Sequence, residues 1–94
     1  MRINFYATLR AKAGGKTIEI IPKTASTVRS ALEAATRDCP PLHAEIWKAP
    51  GELNEFIHVF VNGREARYLP QSMETALRTE DTLDVFPPVG GGSI

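Results

Sequence analysis

Val28, Ala31, Leu32 and Ala35 recur at i, i+3, i+4 and i+7, and they form one apolar stripe on one amphipathic helix. Ser26 or Thr27 supplies the cap at its start. Cys39-Pro40-Pro41 stops it, because the residue before a proline is pushed out of the helical region. Arg29, Glu33 and Arg37 fall on the opposite side and point to water. A helix with a single stripe has to be covered by a single sheet face. The rest of the chain must therefore supply a sheet with one buried side.

Residues 2 to 9 alternate. Ile3, Phe5, Ala7 and Leu9 share one face; Arg2, Asn4, Tyr6 and Thr8 share the other. This is the pattern of a half-buried strand. Gly14-Gly15 marks a turn, and residues 16 to 21 read as a second strand with Ile18 and Ile20 inward and Pro22 at its end. Residues 42 to 47 read as a short second helix with proline at its start, and residues 49 to 55 as loop. Residues 56 to 61 form a third strand, with Ile57, Val59 and Val61 on one face and Phe56, His58 and Phe60 on the other. Asn62-Gly63 is a hairpin signal, so residues 64 to 67 return as a short strand. Residues 69 to 79 are irregular with one helical turn around Met73 to Ala76, and Glu80-Asp81 makes a turn. Residues 82 to 86 form the last strand, with Leu83 and Val85 inward.

These elements predict an α+β domain. The crossover through the helix is right-handed. The short apolar last strand belongs at the centre, beside and parallel to the first. The result is a β-grasp fold, the arrangement that the resemblance given below marks as ubiquitin-like: a mixed four- to five-stranded sheet of order 2-1-5-3-4, packed on one main helix. Residues 1–86 make the domain and residues 87–94 a flexible glycine tail. In this order Tyr6, His58, Phe60 and Phe86 gather on the open sheet face, at the root of the tail. An apolar patch of that kind marks a partner site.

A chain of 94 residues makes one domain, and it carries 11 basic and 11 acidic residues. That balance gives no electrostatic case for nucleic acid or an anionic membrane. No apolar run approaches the roughly 20 residues of a membrane span. Arg2 and Asn4 interrupt any signal-like stretch, and the lone cysteine has no internal disulfide partner. A cytoplasmic location is expected.

Phe86 is followed by Pro87-Pro88, then Val89, then Gly90-Gly91-Gly92. The prolines cannot continue a ladder, and the glycines leave a thin thread without Cβ atoms. As a phosphate-cradling loop it lacks the helix that must follow. A frayed end would not need stiffening by two prolines. A pre-extended segment costs less entropy to order, which favours a tail that enters a partner's narrow channel.

Phe86-Pro87-Pro88-Val89-Gly90-Gly91-Gly92 resembles the C-terminal signature of the MoaD/ThiS-like ubiquitin-fold sulfur carriers, of the molybdopterin synthase small subunit type. Phe5-Tyr6-Ala7-Thr8-Leu9-Arg10, Thr27-Val28 with Ala31-Leu32, and Val59-Phe60-Val61-Asn62-Gly63-Arg64 resemble its opening strand, helix start and central hairpin. The resemblance implies a carrier that is not an enzyme on its own. An E1-like adenylating partner, using ATP and magnesium, joins the glycine carboxylate to AMP. A sulfur donor then leaves a thiocarboxylate, and the sulfur passes to an acceptor in molybdenum cofactor biosynthesis. By this resemblance Gly92 is the reactive residue and Gly91 precedes it in the channel. Tyr6, His58, Phe60, Phe86, Pro87, Pro88, Val89 and Gly90 are the expected partner-binding residues. The molybdopterin synthase large subunit is a further implied partner. The carrier itself holds no cofactor and no metal.

Ser93 and Ile94 follow Gly92 where the family's active glycine is last. The expectation is that a metalloprotease removes them. Other readings stay open: a ubiquitin-like modifier joined to lysines, a sulfur carrier for thiamine, cysteine or tRNA thiolation, or a binding module that never uses its carboxylate. Cys39 reads as a packed or helix-terminal thiol, and His43 and His58 as lone surface or interface histidines. Lys12, Lys16, Lys23 and Lys48 read as surface lysines, and Trp47 as core or second-helix packing.

Overall fold

The structure, a computed structural model, describes residues 1–15, 17–19, 27–37 and 39–88. Its elements in chain order are β1 (Arg2–Phe5), α1 (Thr8–Lys12), β2 (Ile18–Glu19), α2 (Val28–Thr36), α3 (Pro40–Ile46), β3 (Trp47–Ala49), β4 (Glu52–Leu53), β5 (His58–Val61), β6 (Arg64–Glu65) and β7 (Thr82–Phe86). Two 3-10 turns lie at Ala66–Tyr68 and Ser72–Glu74. The expectations for Lys16, Ile20, Pro22, Lys23 and Ser26, and those for Val89, Gly90, Gly91, Gly92, Ser93 and Ile94, lie outside the described residues.

The stripe on α2 is buried as the spacing requires: Val28, Ala31 and Leu32 are inaccessible and Ala35 nearly so. Thr27 caps the helix. Its Oγ1 accepts from the Ser30 N–H at 3.1 Å, and the Ser30 hydroxyl accepts from the Thr27 N–H at 2.9 Å. This reciprocal pair satisfies two of the helix's orphan donors. The stripe faces Ile3 and Phe5 of β1, Val59 and Val61 of β5, and Leu83 and Val85 of β7, all in one buried cluster.

The main sheet has the order β2-β1-β7-β5-β6. β7 lies at the centre, parallel to β1 with Ile3 beside Leu83 and Phe5 beside Val85. It is antiparallel to β5, with Val59 beside Val85 and Val61 beside Leu83. The expected order 2-1-5-3-4 is renumbered here because β3 and β4 add two strands to the count. The Asn62-Gly63 turn closes the β5–β6 hairpin with φ of 50° and 89°, the positive values a two-residue hairpin turn requires.

The third strand starts at His58 rather than at residue 56, which leaves Phe56 on a turn, and four further local expectations are corrected. The first strand ends at Phe5, not Leu9, and Ala7 is exposed rather than inward. The Tyr6 N–H still bonds Val85 O at 3.1 Å, but the Tyr6 carbonyl turns away to accept from Leu9 and Arg10 and opens α1. Leu9 is buried from that helix instead. Gly14 and Gly15 cap α1. The Gly15 N–H reaches Arg10 O at 2.8 Å and the Gly14 N–H reaches Ala11 O at 3.2 Å, the paired bonds of a Schellman end.

The second correction is in residues 49–55, which carry part of a β3–β4 ribbon rather than plain loop. Pro50-Gly51 turns it, with Gly51 at φ 75°. Trp47 begins that ribbon rather than ending a helix, since α3 spans Pro40–Ile46. It is buried and donates its indole N–H to Thr36 Oγ1 at 3.0 Å, and the Thr36 hydroxyl in turn donates to Leu32 O at 2.8 Å. Third, the helical turn expected at Met73–Ala76 is a 3-10 turn one residue earlier, and Ala76 instead bridges to Thr27. Fourth, the returning strand is only Arg64–Glu65, because Ala66–Tyr68 curls into a 3-10 turn.

Among the described residues no helix is long and apolar enough to cross a membrane. Also among them, no three His, Cys, Asp or Glu side chains gather as a metal-ligand set.

Candidate partner-binding face

With Leu83 and Val85 buried toward α2, alternation sends Thr82, Asp84 and Phe86 of β7 to the open side of the sheet. The same parity places His58 and Phe60 of β5 there. Register sets His58 opposite Phe86 and Phe60 opposite Asp84. Tyr6, just past β1, stacks on Phe86 with ring centroids 4.3 Å apart and planes 7° apart. Phe60 meets Phe86 edge to face at 5.5 Å and 85°. Phe86 is thus clasped on two sides, and such aromatic pairs add about 0.5–1.5 kcal/mol each beyond their area. The structure brings together Tyr6, His58, Phe60 and Phe86; Pro87 and Pro88 leave directly from Phe86.

The aromatic cluster is fixed by polar bonds that the sequence reading did not name. Tyr6 donates its hydroxyl to Asp84 Oδ1 at 2.8 Å, and Asn4 Nδ2 donates to the same oxygen at 3.0 Å. The bond to Asp84 holds the Tyr6 phenol above its ordinary pKa; partial burial and the Asp84 charge add to this, and Arg10 opposes it. Tyr6 therefore stays a neutral donor at physiological pH. His58 is not a lone histidine. Its Nδ1 lies 2.7 Å from Glu65 Oε2, and Arg67 Nε sits 2.8 Å from that oxygen. Arg67 also donates to the carbonyls of Glu55 and Ile57 at 3.2 and 3.0 Å. Those two residues flank Phe56, which is 60% exposed on a turn held further by Asn54 Oδ1 accepting the Phe56 N–H at 3.0 Å.

Cys39, His43, Asp81, Lys12 and Lys48 are not part of this aromatic cluster. Cys39 precedes α3, half-buried, with Sγ donating to Lys12 O at 3.2 Å. His43 is exposed with its ring 6.4 Å from that of Trp47. Asp81 shapes its turn by accepting the Arg78 N–H at 2.7 Å. Lys12 and Lys48 make long surface ion pairs with Glu45 and Glu55 at 3.7 and 3.6 Å.

A β-grasp sheet with an aromatic open face at the root of a proline-glycine tail defines a class, the ubiquitin-fold carrier and modifier proteins. The ThiS family matches residues 3–92, and the chain belongs to that family of ubiquitin-fold sulfur carriers. It is 33% identical over 92 residues to small archaeal modifier protein 1 of Haloferax volcanii, covering 98% of this chain and 100% of that one. It is 34% identical over 92 residues to small archaeal modifier protein 3 of the same organism, covering 98% of each. The crystal structure of the first of these superposes with a TM-score of 0.83 at 33% identity, over 98% of both chains. A chain in the crystal structure of the Amycolatopsis orientalis BexX/CysO complex superposes with a TM-score of 0.77 at 25% identity, over 97% of this chain and 98% of that one. The protein is thus a ubiquitin-fold carrier or modifier rather than a catalyst on its own.

Proposed function

We propose that the Gly92 carboxylate is the reactive group and that the aromatic face docks the enzyme that activates it. The observation that carries this reading is the extent of the family match, which stops at Gly92 although Ser93 and Ile94 follow. A metalloprotease first hydrolyses the Gly92–Ser93 bond and frees the carboxylate. An E1-like partner with ATP and magnesium then forms the acyl adenylate and releases pyrophosphate. A sulfur donor displaces AMP and leaves the thiocarboxylate. Gly90, Gly91 and Gly92 suit the approach to a buried α-phosphate, since a Cβ would obstruct a narrow channel.

Phe86-Pro87-Pro88-Val89-Gly90-Gly91-Gly92 favours a pterin precursor as the sulfur acceptor, with the large subunit of molybdopterin synthase receiving the tail. A second reading, conjugation of Gly92 to lysines, is favoured by the likeness to the two small archaeal modifier proteins. Both start from the same acyl adenylate and differ only in whether sulfur or a lysine nitrogen displaces AMP. Intact-mass analysis of the protein from its own cells tests the common step. The expected species ends at Gly92, part of it with sulfur in place of one oxygen. Protein carrying Ser93 and Ile94 as the sole species would overturn the reading.

A further inference from the structure

The open face also contains a shallow hollow of about 550 Å³ that the chemistry of the tail does not use. His58, Phe60, Gly63, Glu65, Asp84 and Phe86 line it. Register puts three of these in a row across the sheet: Asp84 of β7 beside Phe60 of β5, and Phe60 beside Glu65 of β6. Neighbouring strands lie about 4.8 Å apart, so two carboxylates flank one aromatic ring. Each carboxylate is committed through one oxygen. Asp84 Oδ1 takes Tyr6 and Asn4, and Glu65 Oε2 takes His58 and Arg67. Asp84 Oδ2 and Glu65 Oε1 have no donor in those bonds.

We propose that this hollow receives an arginine side chain of the enzyme that binds the tail. The inference rests on the reading of this face as the docking face. The guanidinium lies over Phe60 and donates to Asp84 Oδ2 and Glu65 Oε1. A planar, weakly hydrated cation suits both the ring face and the carboxylates. Lysine offers a compact point charge without the planar fit. An apolar anchor would desolvate two carboxylates and give them no donor. An acidic side chain would be repelled.

The test is an NMR titration of the isotope-labelled full chain with the peptide acetyl-Ala-Arg-Ala-amide and its neutral citrulline counterpart. The arginine peptide is expected to move the amides of Phe60, Asp84 and Phe86 saturably. The citrulline peptide should bind roughly tenfold more weakly, as lost charge assistance and cation–π attraction imply. A chain carrying Asp84→Asn and Glu65→Gln should show the same loss. Phe60→Leu keeps the apolar volume without the π face and should also weaken binding. Equal binding of both peptides, no binding of either, or tighter binding of a leucine peptide would overturn the proposal. So would shifts that appear on concentrating the chain alone, which would assign the hollow to a second copy. Activation of Gly92 is measured separately: its failure leaves a positive titration standing, and a negative titration leaves the activation chemistry standing.

Discussion

Replacing Phe86 with alanine is expected to weaken binding of the proposed adenylating partner at least about 30-fold, which corresponds to the loss of roughly 2 kcal/mol expected for a central aromatic anchor. Among the described residues Phe86 is the ring that touches both Tyr6 and Phe60. It is also the last residue of β7, so it fixes where Pro87 and Pro88 depart. Truncation removes the stack, the edge contact and the centre of the face proposed to dock the partner. The fold survives, because Phe86 lies on the open face and the buried cluster on the other side is untouched. Isothermal titration with the partner, beside a thermal melt of the free variant, checks both halves. Affinity within about twofold of the parent would show that the face is not the docking surface.

Leu83→Ala should have the opposite profile, with a large loss of stability from a residue no partner can touch. Leu83 is fully buried on the central strand, with Ile3 on one side and Val61 on the other. Its contacts come from two neighbouring strands and the α2 stripe, so the site cannot collapse without moving the sheet. Leucine-to-alanine changes in such places cost about 3–5 kcal/mol. Small domains are stable by only about 5–15 kcal/mol, so the variant retains a fraction of its margin. At about 4–8 °C per kcal/mol for a domain of this size, the midpoint falls by well over about 10 °C. A denaturant melt is the check, and a loss below about 1 kcal/mol would mean β7 is not the centre of the core.

The parts of the fold legible in the sequence were those set by a period or a single turn. The four-residue stripe on α2 required one covered sheet face. Asn62-Gly63 fixed a hairpin whose two turn residues have the positive φ that pairing demands. Alternation together with the expected strand order gathered Tyr6, His58, Phe60 and Phe86. The segment after β1 was misread for a physical reason. The two-residue spacing of Ile3, Phe5, Ala7 and Leu9 fits a strand, yet Phe5 and Leu9 are also one helical turn apart, and Leu9 is buried in either case. The helix formers from Leu9 to Ala13, capped by two glycines, were the signal for α1. Pro50-Gly51 likewise announced the β3–β4 ribbon.

The polar frame of the face was harder to see. Asp84 shares parity with Phe86, and the Asn62-Gly63 turn sets Glu65 across from Phe60, so both carboxylates could have been assigned to this face from register. The Arg67 bridge to the carbonyls of Glu55 and Ile57 could not, because it depends on the curl of Ala66–Tyr68. The tail was the reverse case. Its meaning lies in composition and in the end of the family match, since residues 89–94 lie outside the described structure.

Gly92, once freed, is the group we propose the partner charges. The direct measurement is the intact mass of two chains, one ending at Gly92 and one retaining Ser93 and Ile94, each incubated with the adenylating enzyme, ATP, magnesium and a sulfur donor. An oxygen-for-sulfur exchange is expected in the first chain and none in the second. Exchange in both, or in neither while the enzyme charges another family member in the same assay, would contradict it.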